Sequence, residues 1–155
     1  MIKILFVCHG NICRSPMAEF MLKDMVEKRY IAHEFYIESA ATSRDEVWEG
    51  GGSPVHPGTR KRLAKEGISV DGKFARQMTK SDYDRFDYIL AMEDYNLRNI
   101  MRIIGSDPDG KVKKLLDFSS NPRDIADPWY TGNFDVTYDD ILEGLEAFLE
   151  HLKNL

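Results

Sequence analysis

Cys8 and Arg14 stand at the two ends of a short glycine-containing segment, Cys8-His9-Gly10-Asn11-Ile12-Cys13-Arg14-Ser15, followed at once by Pro16. A thiol and a guanidinium at that spacing suit chemistry on an oxyanion. The guanidinium can clamp two oxygens of a tetrahedral anion in a planar fork, which a lysine point charge does poorly. Backbone N–H groups and a neighbouring cation stabilise a thiolate over a thiol, and the thiolate is the nucleophile. Gly10 lets the backbone approach a ligand without a Cβ in the way. Ser15 has two compatible uses, as a helix N-cap and as a hydroxyl donor to the sulfur. Cys13 is near enough along a curled loop to pair with Cys8 under oxidation, and it reads equally as a small buried residue.

A site of this kind needs a strand before it and a helix after it. Ile2-Lys3-Ile4-Leu5-Phe6-Val7 is apolar and β-branched, and the residues after Ser15-Pro16 follow a helical period, with Ala18, Met21, Leu22, Met25 and Val26 on one face. Glu19, Lys23, Asp24, Glu27 and Lys28 take the other face. In such a strand–loop–helix turn the orphan amides and the positive end of the helix dipole converge on one concavity. A phosphate-sized anion fits there, held by the loop from His9 through Gly10, Asn11, Ile12 and Cys13 to Arg14 and Ser15.

The remaining pattern alternates strand and helix. Strands are expected at Phe35 to Glu38, Asp87 to Met92 and Val112 to Leu116, and helices at Thr59 to Glu66, from Thr79, at Glu93 to Ile104 and at Asp135 to Leu152. Thr42 to Gly58 is rich in glycine and proline and reads as a long binding loop, with Trp48 in its middle. Arg60, Lys61, Arg62 and Lys65 read as a solvated face. Ser119 to Gly132 reads as irregular. The fold expected is α/β, a single three-layer domain over residues 1–155 with a parallel sheet, its ligand beyond the carboxyl ends of the strands.

Val7 to Pro16 resembles the phosphate loop of the low-molecular-weight protein tyrosine phosphatases. Further stretches similar to that family follow in order: Ser39-Ala40-Ala41-Thr42-Ser43, Ala75-Arg76-Gln77, Asp87-Tyr88-Ile89-Leu90-Ala91-Met92 and Asp127-Pro128-Trp129-Tyr130. The resemblance implies four parallel strands in the order 2-1-3-4 and hydrolysis of aryl phosphate monoesters through a cysteinyl-phosphate. Cys8 would be the nucleophile, Arg14 the clamp and Asp127 the general acid and base. Taken alone, Asp127-Pro128 is more often a turn or a helix start than a catalytic acid. The resemblance also implies loop support from Asn11, Ser15 and Ser39, and a cleft wall of Ile12, Trp48, Trp129 and Tyr130. Two positions depart from the family pattern: Lys73 stands where many members have histidine, and Trp129 where tyrosine is common.

Rival readings are a phosphoarginine phosphatase, an arsenate reductase of the same fold and a non-catalytic phosphate-binding module. Ile12 suits an aryl ring better than a guanidinium. The reductase needs further cysteines, and Cys8 and Cys13 are the only two. The module leaves Cys8 and Asp127 unexplained.

A net charge of −5 argues against a nucleic-acid partner or a basic membrane face, so an anionic substrate must be held by a local field. Two cysteines in one loop are no disulfide framework and point to a reducing, cytoplasmic setting. They also lack a second Cys/His pair at ligand spacing, so neither a metal nor another cofactor is expected. The expected partners are a phosphotyrosine-containing protein or a small aryl phosphate, with inorganic phosphate as product.

Overall fold

The computed structural model describes residues 1–155. Its first strand, β1 (Ile2–Cys8), is buried from Ile4 onward, as befits a strand with neighbours on both edges and layers on both faces. Alternation along it feeds two cores. Ile4, Phe6 and Cys8 enter one apolar cluster, while Leu5 and Val7 enter another on the opposite face.

After a loop comes α1 (Arg14–Lys28), then β2 (Phe35–Ala41), which pairs in parallel with β1 from Ile2↔Phe35 to Cys8↔Ala41. Pro16 is tolerated in the first turn of α1 because the N–H it lacks has no partner there. The helix stops at Tyr30, whose φ of 59° is left-handed. Next come the short strands β3 (Val47–Trp48) and β4 (Gly51–Gly52), α2 (Pro57–Ala64), α3 (Asp82–Arg85), β5 (Tyr88–Ala91), α4 (Asp94–Ile104), β6 (Val112–Lys114), α5 (Pro128–Thr131) and α6 (Phe134–Lys153).

The main sheet runs β2-β1-β5-β6, all parallel, which is the expected order 2-1-3-4 counted along its own strands. Residues of α1 and α6 fill the cluster under Ile4 and Phe6, and Ile100 and Ile104 of α4 fill the one under Leu5 and Val7. These are the three layers. β1 sits centrally, so the loop after Cys8 opens in the crevice beyond the strand ends.

Thr42 to Gly58, expected as a long binding loop, contains the antiparallel hairpin of β3 and β4. It is braced from behind: a Cβ on Gly52 would run into the Ala75 carbonyl oxygen, so only glycine lets the two backbones touch. Ala75 N–H donates to Ser53 O at 2.8 Å across this contact.

Arg62 is not part of a solvated face. Its guanidinium lies 3.8 Å from the centre of the Tyr138 ring and pairs with Asp135 at 2.7 Å. Both partners come from α6, which a reading of α2 alone could not supply.

Candidate active site

The loop between β1 and α1 has its carbonyls committed outward. Cys8 O accepts from Thr42 N–H at 2.9 Å, His9 O from Ser43 N–H at 3.0 Å, Ile12 O from His56 N–H at 2.9 Å and Cys13 O from Met17 N–H at 3.2 Å. Its backbone amides are left free: no main-chain N–H of residues 9 to 15 donates to any protein acceptor. Buried N–H groups are nearly always paired, so a ring of unpaired ones beside a helix N-terminus is a site for an anion. The residue that bends the loop is Asn11, at φ 59°, rather than Gly10.

Cys8 lies buried at the floor, with Ser15 Oγ 3.1 Å from its sulfur. Asn11 Nδ2 donates to Ser15 Oγ at 2.7 Å and to Ser39 Oγ at 2.9 Å, while Asn11 Oδ1 accepts the Arg76 N–H at 3.1 Å. With its oxygen accepting from Asn11, Ser15 can turn its proton to a thiolate. Ser15 is not the N-cap of α1; it lies inside the first turn, and Cys13 holds the cap position without a side-chain bond.

Arg14 is among the most buried side chains of the protein. Its Nη1 donates to Glu93 at 3.0 Å and to Ile125 O at 2.8 Å, and its Nη2 approaches Asp127 at 3.4 Å. Burial opposes its charge, but Cys8, Glu93 and Asp127 outweigh that and hold its pKa above the ordinary arginine value. Asp127 caps α5, its Oδ1 accepting the Trp129 N–H at 3.0 Å. Burial, with the negative charges of Cys8 and Asp127, pushes the Cys13 thiol up to about 12. The two cysteines are free.

Around these groups is a pocket of about 180 Å³, with Cys8 and Arg14 inside and Ile12, Trp129 and Tyr130 along its apolar side. His56 stacks on Phe134 and meets the Trp129 ring edge-on at 5.6 Å, fixing that wall. Asp45 and Glu46 close the rim, and Asp45 is 2.7 Å from His9 Nε2.

Trp48 does not line this pocket. The hairpin turns its ring back over Gly51, whose Cβ position is 2.8 Å from the indole nitrogen, and onto a separate depression beside Phe74. The cleft wall expected from Ile12, Trp48, Trp129 and Tyr130 is therefore made by Ile12, Trp129 and Tyr130 without Trp48.

The chain matches the family described as low molecular weight phosphotyrosine protein phosphatase over residues 3–155. It belongs to that family. It is 40% identical to the low molecular weight protein-tyrosine-phosphatase YfkJ of Bacillus subtilis over 155 residues, which cover 99% of this chain and 97% of that protein. The crystal structure of YfkJ superposes with a TM-score of 0.91 at 39% identity, covering 99% of this chain and 96% of that one. PtpA of Staphylococcus aureus, of the same description, is 38% identical over 98% of this chain and 94% of its own. The structure of DARP, a drosophila arginine phosphatase, gives a TM-score of 0.88 at 32% identity, covering 98% of both chains. The protein is thus an enzyme of the protein-tyrosine-phosphatase class.

Two features of this phosphatase, Glu93 and Glu19, escaped the reading of its sequence. Glu93, read only as the start of a helix, is a direct partner of Arg14. An acid just past the carboxyl end of the strand beside β1 was the available signal. Glu19, assigned to the polar face of α1, is buried and accepts from Ser39 Oγ at 2.5 Å. Lys73 donates to Ser39 O at 2.9 Å and pairs with Glu19 at 3.2 Å. No helix is long and apolar enough to cross a membrane.

Proposed function

We propose that this enzyme hydrolyses phosphotyrosine and similar aryl phosphate monoesters through a cysteinyl-phosphate, all of residues 1–155 serving as one phosphatase domain in the cytoplasm. The observation that carries the proposal is the run of unpaired backbone N–H groups from residue 9 to 15 in the loop that starts from the buried Cys8, whose sulfur lies 3.1 Å from Ser15 Oγ. In the first step the sulfur lone pair forms the S–P bond while the aryl P–O bond breaks in line. The leaving aryloxide takes its proton from Asp127, whose carboxyl reaches the pocket beside Arg14. In the second step Asp127 removes a proton from water as it attacks phosphorus, and the thiolate leaves with inorganic phosphate released.

Equatorial oxygens carry the developing charge, and the amides of His9, Gly10, Asn11, Ile12, Cys13 and Arg14 with the Arg14 fork offset it. Asn11, Ser15 and Ser39 hold the ring in shape. Ile12, Trp129 and Tyr130 give an aryl ring apolar and stacking surface, and Ile12 offers no hydrogen bond to a guanidinium, which favours phosphotyrosine over phosphoarginine.

The test is turnover of phosphotyrosine, phosphoserine and phosphoarginine peptides with the intact enzyme and with Cys8→Ser. Expected is fast release of phosphate from phosphotyrosine alone, no release with Cys8→Ser, and phosphate binding kept by that variant. Turnover by Cys8→Ser would remove Cys8 from its role, and preference for phosphoarginine would overturn the substrate assignment.

A further inference from the structure

A phosphotyrosine seated on Cys8 leaves the rest of its peptide outside the pocket, on the surface around the mouth. That surface is electrically uneven. Asp45 and Glu46 form one part of the rim, and carboxylates there repel an acidic peptide. Beyond the aromatic wall the sign reverses.

His56 makes the connection. Its ring meets Trp129 edge-on at 5.6 Å and stacks on Phe134 at 5.3 Å. Phe134 fills the space beside Gly58, where a Cβ would lie 2.2 Å from the ring, so this glycine lets α6 close on α2. Past Phe134 is a second depression of about 390 Å³, with Lys61, Arg62 and Lys65 on one side and Asp135 on the other. Lys61 and Lys65 are one helical turn apart and share a face, since Lys65 keeps right-handed helical geometry at the C-cap of α2.

The neighbouring cations are already committed. Arg60 pairs with Asp71, and Arg62 pairs with Asp135 at 2.7 Å and Glu66 at 3.0 Å. Lys61 and Lys65 are exposed and have no carboxylate partner. With Arg62 and Asp135 cancelling, the depression keeps the unmatched positive charge of both lysines, in a chain whose net charge is −5.

We propose that this depression is a docking subsite for the peptide flanking the phosphotyrosine, and that it selects substrates with Glu or Asp about three to five residues from the phosphorylated side chain. The inference deepens the function proposed above and rests on it. Ring-to-ring steps of 5.6 and 5.3 Å lead from the wall that holds the aryl ring to Phe134, a span that about three residues of extended chain cover. A carboxylate arriving there meets two ammonium groups, whereas over Asp45 and Glu46 it meets like charge. The charge pattern therefore fixes the direction in which an acidic peptide leaves the mouth. Groups that far from phosphorus act on peptide capture, so the effect falls on kcat/KM rather than on kcat.

The experiment measures kcat/KM on phosphotyrosine peptides of equal length for the intact enzyme, Lys61→Gln/Lys65→Gln and Lys61→Glu/Lys65→Glu. One peptide has Glu at the third to fifth positions after the phosphotyrosine, another has Glu at the same positions before it, and a neutral one has Gln throughout. Nitrophenyl phosphate, too small to reach α2, is the reference for each protein. Expected with the intact enzyme at low salt is a preference of roughly 2–30-fold for one acidic peptide over the neutral one, the range for a pair of exposed ion pairs. It shrinks as salt rises. In the double glutamine variant the ratio falls to about one, and in the double glutamate variant it inverts.

Equal kcat/KM for every peptide would overturn the subsite, as would a preference that survives the double glutamine variant. A loss of the same size on nitrophenyl phosphate would put the effect in the catalytic pocket and overturn it too. If the intact enzyme hydrolyses none of the peptides, the function proposed above fails and the subsite with it. Hydrolysis of all of them at one rate refutes the subsite alone.

Discussion

Replacing Arg14 by lysine keeps the charge and removes the fork, which makes it the sharpest perturbation of the cradle. The guanidinium has five N–H donors. Its Nη1 edge is committed to Glu93 at 3.0 Å and the Ile125 carbonyl at 2.8 Å, whereas Nη2 has only the 3.4 Å approach to Asp127 and Nε has no protein partner. The Nε–Nη2 edge is therefore the one that can grip two oxygens of a phosphoryl group. An ammonium has three protons on one atom. If two stay with Glu93 and Ile125 O, a single donor remains for the phosphate.

Losing one charge-assisted bond of about 1.5–3 kcal/mol corresponds to roughly 10–160-fold in rate. Loss of a donor aimed at developing charge falls at the upper end, about 10²–10³ in kcat. We expect Arg14→Lys to lower kcat on nitrophenyl phosphate by about 10²-fold and to weaken inhibition by inorganic phosphate in parallel. If the introduced ammonium instead swings fully to the phosphate, Glu93 and the carbonyl lose their partner and the variant unfolds at lower temperature. Steady-state kinetics, phosphate inhibition and a thermal melt separate the two outcomes. A kcat within about threefold of the intact enzyme, with phosphate affinity unchanged, would show that the fork does not hold the substrate.

Asp127→Asn is expected to cost about 10²–10⁴ in rate for alkyl or unactivated aryl leaving groups and far less for nitrophenolate, and an equal loss for both removes Asp127 as the acid. Under peroxide, Cys8 thiolate attacks one peroxide oxygen, the O–O bond breaks with hydroxide leaving, and the resulting sulfenic acid is attacked by Cys13 with loss of water to give the Cys8–Cys13 disulfide. Because burial holds the Cys13 thiol at about 12, that second step is slow, so peptide mapping should find the disulfide at low peroxide and over-oxidised Cys8 at high peroxide. Finding Cys8 only as the sulfonic acid at every dose would refute the pairing. Glu143, held by Arg123 and then Ser119, has its carboxyl at about 2 against an ordinary 4.5. A folded value below the unfolded one means its contribution is complete above 4.5 and lost as the pH falls towards 2, so Glu143→Gln should flatten unfolding temperature against pH in that window, less so at high salt. A curve parallel to that of the intact enzyme would refute it.

What the chain discloses about itself divides along a physical line. The strands, the long helices and the Cys8–Arg14 loop are legible because each rests on local periodicity or on groups adjacent in sequence: the alternation of Ile4 to Cys8, the run Leu97, Ile100, Ile104, the glycine turn before a Ser-Pro helix start. What stays hidden depends on partners far along the chain. Glu19 looks like a solvent-facing charge until Ser39 and Lys73 are brought against it from 20 and 54 residues away. Arg62 looks solvated until α6 supplies Tyr138 and Asp135. Trp48 looks like a cleft aromatic because its loop borders the cleft, but a two-residue strand fixes which side of the loop it occupies, and Gly51 with Ala75 behind Gly52 sets that side.

The hidden groups also hold the legible ones in place. The Ser15 hydroxyl beside the Cys8 sulfur accepts from Asn11, and Asn11 is held at both ends, by Ser39 of β2 and by the Arg76 N–H of a segment that bridges to the end of β2. On the proposed mechanism the motif names the reacting atom, while the contacts around it belong to the tertiary fold. A peptide of residues 1–30, which keeps the entire motif and lacks Ser39, Lys73, Arg76 and Glu93, is accordingly expected to have a cysteine of ordinary reactivity.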